Sequence, residues 1–320
     1  MKKDDKAMAL FKICFNEVKR ACTAEYFTND DSFTRWKRVP AFMALKNIER
    51  ENWHFFPGSF VQPNGRQGLS LKEMSASQKI LAHGLLGSAL SHRGLLEASE
   101  VMLLEQILFE KEGRAIRDIE LYHVAIFGEP DKAGTWAWRF EGHHLSLNFS
   151  FLNGRIFSVT PSFFGASPAK VSEGKHAGMK VLTAEEEKAR KLVRSFNSPQ
   201  RKMAILSEKP PREILSGQDN LVDRKSFFPP QGLPITKMNP RQRGWLEEVI
   251  FAYSSKHRSE IIDQVSRRKP LLHPEQTFFV WAGSVQAGEP HYYRIQTPDF
   301  LFEYANTQNS VNHVHAGWRD

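Results

Sequence analysis

The apolar periodicity of this chain changes character repeatedly along its length, and those changes restrict the folds open to it. Up to Gly113 the apolar residues recur at helical spacing, as in SASQKILAHGLLGSALSHRGLLEASEVMLLEQILFEKEG. From Asp118 they alternate, in ELYHVAIFG, TWAWRFEGHHLSLNFSFL and RIFSVTPSFF, segments rich in aromatic and β-branched residues. Helical spacing returns in TAEEEKARKLVRSF and PRQRGWLEEVIFAYSS, and alternation closes the chain in TFFVWAG, HYYRIQTP, FLFEYANTQN and NHVHAGW. Each β block alone is too small to cover its own apolar face. The expected fold is therefore α+β: one antiparallel β assembly built from strand blocks at about 118–164 and 276–318, surrounded by helices.

Local signals refine this reading. LFKICFNEVKRAC places apolar residues at 10, 11, 14, 15, 18 and 22, which predicts an N-terminal helix. The helical stretch before Gly113 divides near His92-Arg93-Gly94, with Ser75 or Ser77 as N-cap and Gly113 as the stop. Thr183 with Glu186 has capping-box spacing, and Asn239-Pro240 suits an N-cap followed by proline in the first turn. Glu129-Pro130-Asp131 and Asn153-Gly154 supply turns, the second a strong hairpin signal. The proline-bearing connection EKPPREILSGQDNLVDRKSFFPPQGLP is long enough to be a functional lid or a linker.

Composition excludes several classes. No run approaches the ~18 apolar residues of a membrane span. The start, MKKDDKAMALFKICF, is interrupted by Lys12 and lacks a small-residue cleavage site, so a cytoplasmic location is expected. Cys14 and Cys22 would stand roughly 12 Å apart on a helix, too far for a disulfide. The net charge is +8 and the pI about 9.4. Its basic residues are scattered, as in KRVPAFMALK and VSRRKP, with no nucleic-acid-binding signature beside them. A small anionic molecule is the expected partner, rather than nucleic acid or membrane; oligomeric state leaves no signature.

The histidines carry the chemistry. Five of the twelve sit in three β-region motifs: His143 and His144 in EGHHLSLNF, His291 in EPHYYRIQ, and His313 and His315 in NHVH. Strand residues i and i+2 face the same way about 6.6 Å apart, so His313 and His315 can chelate one ion. His143 and His144 would face opposite ways along a strand, with Gly142 marking a bulge or bend and His144 the better ligand. The contrary reading is that all five are polar strand faces in water. Glu303 is a candidate carboxylate ligand or general base, and Arg294 and Arg319 can hold an anion. Arg139 shares that chemistry, but a surface salt bridge is the simpler expectation for it. Asn306, Gln308 and Asn309 can orient a ligand or cap a turn, and FFGASP reads as an irregular loop lining a pocket. The phosphate-loop, dinucleotide and Gly-x-Ser-x-Gly patterns are absent.

Taken together, EGHHLSLNF, TPSFFGASPA, HYYRIQTPDFLFEYANTQN and NHVHAGWRD resemble the bacterial family catalogued as domain of unknown function 3500, from about Arg35 to the end. That implies a single α+β domain over 35–320 behind a helical extension at 1–34. It also implies that His143, His144, His291, His313, His315 and Arg319 are motif positions. The resemblance carries no function; the residues themselves lead to the expectation of a metal-dependent enzyme, hydrolase or oxidoreductase, acting on a small anionic molecule. His143, His144, His313 and His315 would hold a divalent transition metal (zinc, copper, iron or manganese), with His291, Glu303, Arg294 and Arg319 as catalytic groups. The alternative is a non-catalytic metal- or ligand-binding protein using the same pocket; sequence does not choose between them.

Overall fold

The computed structural model describes residues 42–46, 50–60, 65–130, 133–217 and 230–320. The expected helix over 10–22, its cysteines and the extension at 1–34 lie outside the described residues. Residue contacts divide the chain into two compact units, one running up to Val159 with Ser255–Val265 added, the other comprising Thr160–Ser254 and Ser266–Asp320.

In the first unit, β1 (Phe42–Met43), β3 (His123–Phe127), β4 (Thr135–Gly142) and β5 (Leu145–Leu152) pair in that order. β2 (Leu69–Ser70) also pairs with β3, and β6 (Arg155–Ser158) with β5. The β4–β5 hairpin sets its register through aromatic partners: Trp136 opposes Phe151 and Trp138 opposes Phe149. The rings of these pairs stack at 4.2 and 4.3 Å, so the two rows of opposite parity in the sequence share one face. Asn153 and Gly154 both adopt positive φ, 51° and 71°, as the tight turn into β6 requires.

Helices α1 (Ala76–Ala89) and α2 (His92–Glu112) are separated at Leu90–Ser91, two residues before the expected break, because Ser91 caps α2 by accepting from Gly94 N–H at 3.1 Å. Ser75 forms a capping box with Gln78, and Gly113 ends α2 at φ 65°. α6 (Ser259–Ser266) is only two turns long.

In the second unit, β7 (Ser162–Ala166), β13 (His313–Arg319), β12 (Leu301–Gln308), β11 (His291–Gln296) and β10 (Phe278–Gly283) form an antiparallel run. β8 (Ile205–Ser207) and β9 (Leu233–Pro234) pair with β10. β7 comes from the first sequence block and β13 from the second, so strands of both blocks do join one antiparallel sheet. Helices α3 (Thr183–Arg194) and α5 (Pro240–Ser254) pack on each other, and the short α4 (Ser198–Ala204) precedes β8. Tyr253 of α5 donates to the Glu303 carbonyl oxygen at 3.0 Å, fastening α5 to β12. The composition of elements is α+β.

Three local expectations need correction. RIFSVTPSFF is two strands rather than one, interrupted at Val159-Thr160-Pro161, where proline removes a ladder donor. FFGASP is not a pocket-lining loop: its first residues are the buried strand β7. Thr183 and Glu186 form no capping box. Leu182 occupies the cap at φ 60°, and the Glu186 carboxylate is drawn instead to Arg190 and Tyr304. Asn239, by contrast, caps α5 as expected, accepting from Gln242 N–H at 2.9 Å.

Trp318 is buried on β13 against Phe300 and Phe302, each ring 5.5 Å away. Trp318→Ala is expected to cost about 3–5 kcal/mol. Urea denaturation checks this; a loss below about 1 kcal/mol would show that the ring is not the anchor of β13.

Candidate functional site

The EGHH motif folds differently from the strand reading. β4 ends at Gly142 and β5 begins at Leu145, so His143 and His144 are the two residues of a hairpin turn. Gly142 is required there, because a Cβ would fall 2.2 Å from the Tyr122 ring. Tyr122 in turn donates its hydroxyl to the His143 carbonyl oxygen at 2.9 Å. His144 stands at φ 59°, a conformation His tolerates better than most residues, and its N–H donates to Phe55 O at 2.9 Å. The two imidazoles therefore stack, with centroids 3.8 Å apart, instead of facing opposite ways.

Behind the turn stands Glu105, a buried carboxylate on α2. Its Oε1 bonds His143 Nδ1, and Arg117 Nη1 lies 3.1 Å from the same nitrogen. A carboxylate only accepts and a guanidinium only donates, so Nδ1 can serve one of them at a time; a proton on Nδ1 serves Glu105, the shorter contact, with Arg117 3.7 Å from the same carboxylate. That leaves His143 Nε2 with its lone pair. Ligand atoms of Glu105, His143 and His144 all lie within 4.8 Å of one another. Burial holds the His143 pKa below its ordinary value and outweighs the opposing pull of Glu105. Glu141, also in the motif, accepts from His54 N–H, Arg66 Nε and Ser146 Oγ. Burial opposes its ionisation, but Arg139, Arg66 and these donors hold its carboxyl below the usual carboxylate range. Arg139 is thus no surface residue: it is buried, 3.5 Å from Glu141.

The NHVH motif lies in the second unit on β13. His315 sits opposite Ala305 on one side and Gly165 on the other, two small residues that leave room for its ring. Its Nδ1 is 2.6 Å from both carboxylate oxygens of Glu213, so Nδ1 carries the proton and Nε2 the lone pair. His315 Nε2 faces His313 Nε2 at 3.0 Å. Asn309 Nδ2 lies 3.3 Å from His313 Nδ1. An amide serves either tautomer of His313, donating one way round and accepting the other.

Glu213 belongs to the long connection after β8, and two of the expected catalytic residues, Glu303 and Arg319, hold that loop in place. Glu303 accepts from Leu215 N–H at 2.9 Å, Ser216 N–H at 3.0 Å and the Tyr292 hydroxyl at 2.5 Å. Arg319 Nη1 donates to Ser216 O at 2.8 Å. Thr307 and Gln308 donate to Arg212 O, and Gln308 Nε2 also reaches Glu213 Oε2 at 3.2 Å. Arg294, buried, lies opposite Glu303 in the β11–β12 register. Asn306 is buried too, and among the described residues its Oδ1 has no hydrogen-bond partner.

His291 faces the other way on β11. It is buried between Trp281 and Tyr304, its Nδ1 2.9 Å from Glu289 O and its Nε2 3.6 Å from Glu186. Burial lowers its pKa, with Arg190 adding to the effect and Glu186 opposing it. Glu105, Glu213, Glu186 and Arg190 were not among the expected site residues. Glu105 had a visible signal, a lone carboxylate inside the apolar run VMLLEQILF, and Glu213 lay in the connection expected to be a functional lid or a linker.

An α+β protein with carboxylate-backed histidines on two of its motifs is the class these observations define. The family model described as "Protein of unknown function (DUF3500)" matches residues 18–320, and the chain belongs to that family. The match begins earlier than the motifs alone suggested. No curated protein and no solved structure matches the chain.

The buried histidines make a stability prediction. His143, His123 and His291 all have pKa values lowered below 6.5, burial being the first cause in each. Protonation therefore favours the unfolded chain, and the stability is complete above pH 6.5 and lost as pH falls below it. The urea midpoint should be lower at about pH 5 than at about pH 7.5, a window above the usual carboxylate range. An unchanged or higher midpoint at the acid end would contradict it.

Proposed function

We propose that the chain is a metal-dependent protein whose centre includes His313 and His315, and that it acts on a small anionic molecule as a hydrolase or oxidoreductase. The observation that carries this is the pair of Nε2 atoms 3.0 Å apart, with Glu213 behind His315 Nδ1. Two nitrogens bound tetrahedrally at about 2.0–2.1 Å stand roughly 3.3–3.4 Å apart, so a few tenths of an ångström separate the pair from chelating geometry. A carboxylate on the far nitrogen is the usual second partner of a metal-bound imidazole, fixing its tautomer and ring orientation. Nitrogen ligands of this kind suit zinc, copper, iron or manganese.

A metal bound there would supply Lewis acidity and lower the pKa of a bound water from 15.7 to about 7. The chain's own residues do the positioning. Glu303 and Arg319 anchor the 212–216 loop, and that loop presents Glu213 to His315. In this reading Glu303 and Arg319 act through Glu213 rather than on substrate. The alternative, metal binding without catalysis, uses the same atoms.

Elemental analysis of protein purified without an affinity tag should find close to one equivalent of a transition metal. His313→Ala and His315→Ala should each lose most of it while circular dichroism stays unchanged. Glu213→Gln should weaken metal affinity about 10–100-fold. A wild-type protein that neither carries nor takes up zinc, copper, iron or manganese would overturn the proposal, leaving Asn309, His313, His315 and Glu213 as a hydrogen-bonded chain.

A further inference from the structure

The second unit contains a cleft of about 650 Å³, on the helix side of its sheet, that none of the expected site residues was assigned to as a group. Its volume lies within the range of small-molecule sites, roughly 300–1,000 Å³. The lining includes five cations, Lys170, Lys180, Arg190, Lys191 and Arg194, against two carboxylates, Glu186 and Glu187. One of those carboxylates is already committed: Glu186 Oε1 accepts from Arg190 Nη2 at 2.5 Å and Glu186 Oε2 accepts from Tyr304 at 3.0 Å.

Lys170 and Lys180 are the informative pair. They form an isolated antiparallel bridge, so their side chains leave the backbone on the same side. Like charges directly opposite each other are destabilising, and among the described residues no carboxylate pairs with either lysine. The backbone beneath them is fixed, since Lys170 N–H donates to Asn312 Oδ1 at 2.7 Å and Asn312 Nδ2 donates to Lys170 O at 3.1 Å. Asn306 supplies an independent observation. It lines the same cleft, is only 4% exposed, and its side-chain oxygen has no partner among the described residues. A buried amide atom left unpaired costs free energy that a ligand's hydrogen bond would remove. One way round the amide accepts from a ligand hydroxyl; the other way round it donates to an anionic oxygen. Arg190 is held at the base by Gln286 O at 2.6 Å and by Glu186, a cation kept in place without being exposed.

We infer that this cleft binds a small organic anion, a carboxylate or a phosphate ester, with Lys170 and Lys180 neutralising its charge and Asn306 hydrogen-bonding its polar end. Asn306 and His315 belong to opposite faces of the sheet, so the inference goes beyond the proposed function and does not need the metal.

Titration calorimetry at low ionic strength, with citrate and with inorganic phosphate as separate probes, tests it on the full chain. Binding of at least one probe in the millimolar range or tighter is expected, and which one binds distinguishes carboxylate from phosphate recognition. Lys170→Glu/Lys180→Glu should weaken it roughly tenfold or more, whereas Lys202→Glu/Lys209→Glu, an equal charge change on exposed lysines outside the cleft lining, should leave it within about twofold. His315→Ala should keep the affinity, which separates this site from the metal centre. No binding of either probe, or equal losses in the two double variants, would overturn the inference.

Discussion

The Glu303 carboxylate is the interaction on which the second unit's chemistry rests. It is fully buried, and it ends up with three donors: two consecutive backbone N–H groups of the 212–216 loop and the Tyr292 hydroxyl. A buried carboxylate without such partners would be strongly disfavoured, so the loop and the strand stabilise one another. Arg319 closes the same loop from its carbonyl side. The latch brings Glu213 to the sheet, where its carboxylate adds contacts of its own to Gln308 on β12 and His315 on β13.

The same arrangement recurs on the first unit's motif by a different route. There the carboxylate comes from a helix, Glu105 on α2, and the histidine from a turn whose shape depends on Gly142 passing the Tyr122 ring. In both places a carboxylate stands at Nδ1, and a proton kept on Nδ1 to serve it leaves Nε2 as the electron-pair donor. The two halves share this tautomer logic although their secondary structure has nothing in common. For His143, burial reinforces it by disfavouring the imidazolium.

Much of this was legible in the sequence, and the failures have identifiable causes. Period-two alternation in TWAWRF and in HYYRIQ located the strands, since one face of each is apolar and aromatic. Caps at Ser75 and Asn239 were readable because they depend on residues three apart. The turn at His143-His144 was not, because neither residue is a turn former and the signal lay in Gly142 alone. Thr183 and Glu186 had the spacing of a cap, but Arg190, one turn on in the same helix, and Tyr304 on β12 hold the carboxylate instead. FFGASP looked irregular for its glycine, yet Gly165 sits in a strand to make room beside His315. The histidine motifs could be picked out from spacing and clustering. Their carboxylate partners are 38 and 102 residues away, and no local pattern encodes such a pairing.

Register explains how one sheet presents a different set of polar groups on each face. Cross-strand partners share a face, so His315, Ala305 and Tyr292 line one side of the β11–β13 ladder, while Val314, Asn306 and His291 line the other. Because successive residues alternate, the step from Val314 to His315 on β13 moves from the helix-covered side, where His291 lies near Glu186 and Arg190, to the loop-covered side, where Glu213 waits. Asn306 and Ala305 divide in the same way on β12. A one-residue slip of β13 against β12 would exchange the faces and bury His315 where Val314 now packs. The aromatic packing of Trp318 on Phe300 and Phe302 opposes that slip, since it would turn the indole out of the core. The same contact that stabilises the terminal strand therefore determines which side of the sheet each histidine faces.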